Sequence, residues 1–315
     1  IVKTGAGTLT LSGANTYTGA TTISGGELSI STSGNVGGTS GITLSDGKLL
    51  VTGNMLSAKA ITLGSGTNTI AAAASQTLTL TGVISGSGSV KFGDGTNTGT
   101  VVLSASSAIR NTGGVTVNST LNVSPGASVG QSFSSSIVVN GTMSIDFGAQ
   151  SNWTNNLIKD IVVNGTLNLG SAAPGPDGSH ILGGVSGAAI TGSGVINKIG
   201  TGVVNFASNG GYVVDLTNFT GSFNVKEGTL TFNQVGGSTS ASVVVAAGGT
   251  LDIRTSETIG ALSGAGTVVS SYGGVLTVNQ SIDTTFSGTL ANGAGQLAIV
   301  KTGAGTLTLS GANTY

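Results

Sequence analysis

Apolar and small polar residues alternate in short segments along most of the chain, and each segment follows a glycine or another small polar residue. In the segment from Val115 to Val123, Leu121 and Val123 lie on one face of an extended chain and Asn122 on the other. This two-residue period predicts β-strands, and no stretch has the 3.6-residue spacing of an amphipathic helix. The segments recur about every 25 residues, which is typical of a solenoid.

A coil of this length cannot bury its own apolar face, so consecutive coils must stack. Each backbone then hydrogen-bonds to the coils before and after it. The pattern therefore predicts an all-β fold, a right-handed parallel β-helix (a single-stranded solenoid) of about 12 to 14 coils. A β-sandwich would not need near-identical strands in series at one period. Glycine before each strand is expected to adopt a positive φ, as at Asn140-Gly141 and Asn164-Gly165.

A long internal repeat defines the organisation of the chain. Residues 1–17 recur without a single change as residues 299–315, at an offset of 298 residues. We therefore interpret residues 1–298 as one complete β-helical tandem unit and residues 299–315 as the start of the next identical unit. The junction from Gln296 to Val300 has no Pro, Gly or Ser linker. Coils are thus expected to continue from unit to unit, with further copies of the repeat as end-to-end partners in one chain.

The stretch TGAGTLTLSGANTYTGATTISGGEL, residues 4–28, resembles the passenger-associated transport repeat of bacterial autotransporters, also called the autotransporter-associated β-strand repeat. Residues 299–315 resemble the same motif, and a weaker copy runs from Lys198 to Leu230. The resemblance assigns a structural role to twelve motif positions, which are Lys3, Gly5, Gly7, Leu9, Leu11, Gly13, Asn15, Tyr17, Gly19, Ile23, Gly26 and Leu28.

The resemblance implies a passenger domain with a β-helical stem, exported across the outer membrane and located at the bacterial cell surface or outside the cell. The absence of cysteine suits this family, because a disulfide formed in the periplasm would obstruct threading.

Composition excludes several classes of function. The chain has 56 glycines among 315 residues, 7% charged residues and a net charge of −1. Ten Lys and Arg residues provide no surface that could neutralise phosphates, so nucleic acid is not an expected partner. One histidine and no cysteine argue against metal centres, and no cofactor is expected. No apolar run approaches 18 residues, so we expect no membrane insertion by this segment.

Few residues could carry catalysis. Asp177 and His180 follow Pro174 and Pro176 in the longest interval between strand segments, so we expect an exposed loop there. The setting lacks the strand-to-helix turn of a nucleophile elbow. Trp153, the only tryptophan, is expected to cover a local apolar patch more readily than to stack on a glycan. These five residues form a possible interaction loop.

Asp252 and Glu257 lie near Arg254, but no carboxylate cluster recurs at coil spacing. The favoured function is therefore a structural, non-enzymatic stalk or fibre segment of a giant repetitive surface or secreted protein. The alternative is an adhesion or self-association module that makes lateral, host or glycan contacts, and a polysaccharide-active β-helix enzyme is less favoured.

Overall fold

The computed structural model describes residues 1–38, 40–104, 109–111, 113–124, 136–147, 160–170, 180–181, 188–206, 213–233, 235–236 and 239–315. The chain divides into two compact units, Ile1–Ile145 (unit 1) and Asp146–Tyr315 (unit 2). The regular elements of the described residues are 36 β-strands and one short 3₁₀ helix at Ser33–Val36. The predicted all-β, parallel solenoid is confirmed, because strands distant by about one coil in sequence pair in parallel.

Unit 1 contains short strands of three to six residues. They are β1 (Val2–Thr4), β2 (Thr8–Leu11), β3 (Thr21–Ser24), β4 (Glu27–Ile30), β5 (Gly41–Leu44), β6 (Lys48–Val51), β7 (Met55–Ser57), β8 (Ala60–Leu63), β9 (Thr67–Ala72), β10 (Thr77–Leu80), β11 (Ile84–Gly86), β12 (Ser89–Phe92), β13 (Thr100–Leu103), β14 (Ile109–Asn111), β15 (Val115–Val117), β16 (Thr120–Val123), β17 (Ile137–Val139) and β18 (Thr142–Asp146).

Three stacks of parallel strands build unit 1. Their orders are β1-β3-β5-β8-β11-β14, β2-β4-β6-β9-β12-β15-β17 and β7-β10-β13-β16-β18. Equivalent residues of successive coils therefore lie directly above one another. One inward column is at most 1% exposed at every level and consists of Leu28, Leu49, Ile70, Phe92, Val117 and Val139. Each such side chain contributes about 1.5–3 kcal/mol through burial, which explains the strict alternation of the sequence.

Unit 2 contains two unusually long strands among shorter ones. Its strands are β19 (Asp160–Val163), β20 (Thr166–Gly170), β21 (His180–Ile181), β22 (Ala189–Thr191), β23 (Val195–Ile199), β24 (Val203–Phe206), β25 (Val214–Asp215), β26 (Ser222–Phe232), β27 (Val235–Gly236), β28 (Ser242–Ile253), β29 (Glu257–Ile259), β30 (Ala261–Gly264), β31 (Thr267–Ser270), β32 (Gly274–Asn279), β33 (Thr284–Phe286), β34 (Thr289–Asn292), β35 (Leu297–Thr302) and β36 (Leu307–Leu309).

Strands β26 and β28 each span two sides of a coil. The first part of β26 pairs with β23 and its second part with β24, while β28 pairs in the same way with β30 and β31. The main stack runs β20-β23-β26-β28-β30-β33-β36, and two others run β19-β22-β25-β27 and β29-β32-β35. An inward column again forms, from Val204, Leu230, Leu251, Val268 and Leu290.

Four phenylalanines fill the core of unit 2 beside this column. Phe223 packs edge-on against Phe206, Phe219 and Phe232, with ring centroids 5.0–5.8 Å apart. All four side chains are fully buried. Such pairs add about 0.5–1.5 kcal/mol each beyond area burial, so aromatic stacking strengthens the segment that carries the weaker repeat copy.

The expectation of positive φ at the glycine before each strand is wrong at most positions. Gly26 and Gly228 have positive φ, whereas Gly47, Gly141 and Gly249 do not. At these three positions a Cβ would fall closer than 3.0 Å to a backbone oxygen of the preceding coil. Glycine is required there because stacked turns approach closely, and not because of a left-handed conformation.

Threonines on the outer face stack in register. Thr77, Thr100, Thr120 and Thr142 form one column in unit 1, and all four are half-buried. A second column, of Thr229, Thr250, Thr267 and Thr289, lies in unit 2. Six of these threonines are the first residue of their strand, whereas Thr229 and Thr250 lie in the second halves of the long strands β26 and β28. All eight are in strands, which suits the high β-propensity of threonine.

Candidate functional site: the lysine-capped repeat turn

The predicted repeat motif folds into a turn that is held by a lysine. Lys3 is 8% exposed, and its Nζ donates hydrogen bonds to the carbonyl oxygens of Thr4 (2.9 Å), Gly5 (2.7 Å) and Gly25 (3.2 Å). The first two acceptors belong to its own turn and the third to the next coil. An ammonium group has three donors, so Lys3 joins two adjacent coils with its full bonding capacity. We call this arrangement the lysine clasp.

Glycine is required at two positions of the clasp. Gly5 has a φ of 73°, a left-handed conformation that favours glycine, and its carbonyl oxygen accepts a hydrogen bond from Lys3. Gly26 has a φ of 63°, and a Cβ there would lie closer than 3.0 Å to the oxygens of Gly5 and Gly7 and to Lys3 Nζ. The spacing Lys-x-Gly at Lys3 and Gly5, followed by Gly26 one coil later, is therefore a requirement of the clasp.

The weaker copy forms a second clasp with the same geometry. Lys198 Nζ donates to the carbonyl oxygens of Ile199 (3.0 Å) and Gly200 in its own turn and of Glu227 (2.9 Å) in the next coil. Gly200 and Gly228 have φ values of 74° and 65°, close to those of Gly5 and Gly26. The residues of the weaker copy thus occupy the positions that the match between the two motifs predicts.

Lys198 is the more deeply buried of the two lysines, with 1% exposure. It stands in register between Leu169 and Val225, both inward-facing residues. Burial lowers the pKa of Lys198 to about 8, and the charge of Glu227 opposes this shift only in part. At neutral pH the side chain is still an ammonium group and supplies all three hydrogen bonds.

The second exact copy contains an incomplete lysine clasp, with two of the three hydrogen bonds. Lys301 Nζ donates to the carbonyl oxygens of Thr302 and Gly303, and Gly303 has a φ of 77°. These acceptors correspond to Thr4 and Gly5. Lys301 is exposed, whereas Lys3 is buried. The difference follows from the next coil, which covers Lys3 and supplies its third acceptor, Gly25 O.

Asn15 connects its coil to the following one. Its backbone N–H donates to Gly34 O (3.1 Å) and its Nδ2 to Asn35 O (2.6 Å), while Asn35 Nδ2 donates to Gly13 O (3.0 Å). Tyr17 Oη lies 2.9 Å from Thr21 Oγ1. Asn15 and Tyr17 thus lie in the segment between strands β2 and β3.

The equivalent residues of the second copy contact the preceding coil instead. Asn313 Oδ1 accepts a hydrogen bond of 2.9 Å from Leu290 N–H. A Cβ at Gly305 or Gly311 would fall closer than 3.0 Å to backbone atoms of the coil before, whereas Gly7 and Gly13 have open space around them. These motif glycines are therefore needed only where a preceding coil is present.

At the remaining motif positions, burial and steric contact also depend on which neighbouring coils are present. Ile23 and Leu28 have neighbours on both sides and are fully buried. Leu9 and Leu11 lie in a strand at the end of its stack and are half-buried. A Cβ at Gly19 would meet no atom within 4 Å, so no steric requirement applies there.

Of the five residues of the possible interaction loop, the structure describes His180. Trp153, Pro174, Pro176 and Asp177 lie outside the described residues. His180 lies in strand β21 and pairs with Val204, so the expectation of a loop is wrong at this residue. The described residues contain no group of three or more His, Cys, Asp or Glu that could hold a metal ion, and no helix among them is long and apolar enough to cross a membrane.

The carboxylates near Arg254 serve structural contacts. Asp252 is 3% exposed and accepts hydrogen bonds of 2.9 Å from Arg254 Nε, Ser271 N–H and Ser271 Oγ. Glu257 accepts one of 2.7 Å from Thr255 Oγ1. Asp252 is thus hydrogen-bonded within its own turn and to the next coil.

Sequence reasoning missed one ordered array on the outer face of unit 2. Asn168, Asn197 and Asn224 stand in register. Asn197 Nδ2 donates to Asn168 Oδ1 at 2.8 Å, and Asn224 Nδ2 donates to Asn197 Oδ1 at 3.1 Å. A shorter ladder joins Asn140 Nδ2 to Asn118 Oδ1 at 3.0 Å. The signal in the sequence was the recurrence of asparagine beside inward aliphatic residues at coil spacing.

The fold and its repeated turn define a tandem-repeat β-solenoid. Within this class, the sequence profile described as "Passenger-associated-transport-repeat" matches residues 1–30 and 299–315. An 85-residue stretch, 27% of the chain, is 48% identical to the "Adhesin BmaC autotransporter" of Brucella suis biovar 1 (strain 1330), and the match spans 2% of that protein's length. No solved structure matches the chain.

These matches confirm the predicted resemblance. The chain carries passenger-associated transport repeats at residues 1–30 and 299–315 and is similar over 85 residues to an autotransporter adhesin, which supports a location at the bacterial cell surface or outside the cell, reached by export across the outer membrane.

Proposed function

We propose that the chain is a structural, non-enzymatic segment of a stalk or fibre, and that residues 1–298 form one unit of a tandem array. One observation carries this proposal: the two identical 17-residue copies pair with neighbouring coils on opposite sides, the first with the following coil and the second with the preceding coil. In the first copy, β1 and β2 pair with β3 and β4 of the following coil. In the second copy, β35 and β36 pair with β32 and β33 of the preceding coil.

The two sets of contacts are compatible in a single coil. Leu9 pairs with Leu28 of the following coil, and its equivalent Leu307 pairs with Thr284 of the preceding one. The asparagine of the motif uses Nδ2 toward the following coil, as Asn15, and Oδ1 toward the preceding coil, as Asn313. No donor or acceptor of this asparagine is needed twice. A motif placed between two coils would therefore satisfy both neighbours at once.

Rigidity of the array follows from this continuity. A third acceptor for Lys301, equivalent to Gly25 O, would come from the next unit and complete the clasp across the junction. Backbone ladders would then continue without a flexible linker. At about 4.8 Å per coil, each unit of about 12 to 14 coils would lengthen the stalk by on the order of 60 Å.

Electron microscopy of recombinant one-, two- and three-unit proteins tests the proposal. We expect straight particles whose length increases by on the order of 60 Å per unit. The matched control carries a Gly-Ser linker of about 12 residues between Ala298 and Ile299, which should introduce a variable bend at the junction. Uninterrupted two-unit particles that bend as freely as the control would refute a continuous stalk.

Adhesion is the second candidate function, and the match to a protein named an adhesin favours it. Many identical units would multiply weak contacts along one chain. Cells that display arrays of one to four units should aggregate or attach to host cells more strongly as the copy number rises. Equal attachment at every copy number, and without any unit, would count against adhesion by this segment.

A further inference from the structure

An exposed aromatic ring and an arginine lie together on the surface of unit 2. Tyr272 follows strand β31 and is 74% exposed, the largest value among the exposed large hydrophobic residues described. Arg254 follows strand β28 in the preceding coil, and its Cζ lies 5.2 Å from the centroid of the Tyr272 ring. The guanidinium therefore stacks over the ring in a cation–π contact.

The buried carboxylate of Asp252 fixes the orientation of this arginine. It accepts a 2.9 Å hydrogen bond from Arg254 Nε, on one edge of the guanidinium. Asp252 also accepts hydrogen bonds from Ser271, through the backbone N–H and the hydroxyl. Among the described residues, Arg254 has no other side-chain hydrogen bond or ion pair, so its two Nη groups are available to a ligand.

The neighbouring coil leaves this surface open. Its turn contains Gly293 and Gly295, and a Cβ at Gly295 would fall closer than 3.0 Å to the backbone of Tyr272 and Gly273. The turn therefore passes beneath Tyr272 without a side chain at Gly295 that could cover the ring. An aromatic surface and a pre-oriented guanidinium fork are thus presented side by side on rigid coils.

We propose that Arg254 and Tyr272 form a binding subsite for an acidic sugar residue. The two Nη groups match the geometry of a carboxylate, which they would bind in a bidentate manner. The sugar ring would pack its C–H groups against the exposed part of the Tyr272 side chain. Asp252 neutralises the local charge of Arg254, so a singly charged carboxylate suits the site better than a phosphate dianion.

Saturation-transfer NMR and calorimetric titration of the 315-residue chain test this subsite. The probes are trigalacturonic acid, 3′-sialyllactose and neutral lactose, which separate uronic from sialic acids and both from uncharged sugars. Binding of either acidic probe, or of both, with no saturation transfer to lactose supports the proposal. No binding of either acid, or equal binding of lactose, overturns it.

Two variants and two controls localise the binding. Tyr272→Ala removes an exposed ring, and Arg254→Lys keeps the charge but removes the bidentate fork. Each should weaken binding by roughly tenfold or more. Lys226→Gln and Tyr315→Ala remove an exposed cation and an exposed ring elsewhere in unit 2 and should leave binding unchanged. Unchanged affinity in Tyr272→Ala, or an equal loss in the controls, would overturn the assignment. The assay uses a single chain, so its outcome does not depend on the proposed tandem stalk.

Discussion

Replacement of Gly228 by alanine tests the clasp where it is most deeply buried. Gly228 has a φ of 65°, and a Cβ there would fall closer than 3.0 Å to the carbonyl oxygens of Gly200 and Gly202. The left-handed conformation costs alanine about 1–2 kcal/mol. Displacement of Gly200 O also weakens its hydrogen bond from Lys198, which contributes about 1.5–3 kcal/mol as a bond to a charged group. We therefore expect Gly228→Ala to lose about 2.5–5 kcal/mol of unfolding free energy.

Gly248→Ala is the matched control in the adjacent strand. Its Cβ would meet only Lys226 O, at 3.6 Å, and its φ is not in the left-handed region, so its effect should remain within about 0.5 kcal/mol. Solenoids unfold coil by coil, so urea unfolding should be combined with hydrogen exchange of β24 and β26, which reports local stability. Equal exchange rates in Gly228→Ala and Gly248→Ala would refute the steric and clasp argument together.

Three further predictions concern unit 2 and the charged surface of unit 1. Because burial lowers the pKa of Lys198 from its usual 10.5 to about 8, unfolding free energy should fall as the pH drops from 10.5 to about 8, and Lys198→Met should abolish that dependence in urea titrations. Desolvation raises the pKa of Asp94, but the hydrogen bonds from Lys48 and Asn97 and the charge of Lys48 together lower it well below 3.8. Stability should therefore fall as the pH drops below about 3.8, and acid titration should show a smaller fall in Asp94→Asn. Asn197→Ala breaks two ladder bonds and should cost about 1–3 kcal/mol in thermal melts, about twice Asn224→Ala.

The sequence was sufficient to predict the fold because one rule governs most of the chain. Inward positions must be apolar at every second residue, and Leu121 and Val123 are buried while Asn122 is not. The weaker copy could also be aligned, since Lys198 and Gly228 form the contacts that Lys3 and Gly26 form. Both results depend on local sequence alone.

Contacts between coils could not be predicted in the same way, because they depend on the register of strands separated by coils of unequal length. The asparagine ladder and the threonine columns require Asn168 to face Asn197, and Thr77 to face Thr100. Lys198 was unexpected as an inward residue, because the cost of burying an ammonium group is offset only by carbonyl groups that the turn supplies. The contact between Arg254 and Tyr272 likewise depends on the register between two successive coils.

The clasp also explains how coils of different length stack without a break. The lysine and its acceptor in the next coil are 22 residues apart at Lys3 and 29 apart at Lys198, yet the local geometry is the same. In unit 2 the strand pairs continue on both sides of the clasp, with Ile196 opposite Phe223 and Val204 opposite Leu230. The clasp therefore fixes where one coil meets the next and leaves the path between these points free to lengthen. The contacts that stack the coils and the segments that vary in length can thus lie in different parts of the same coil.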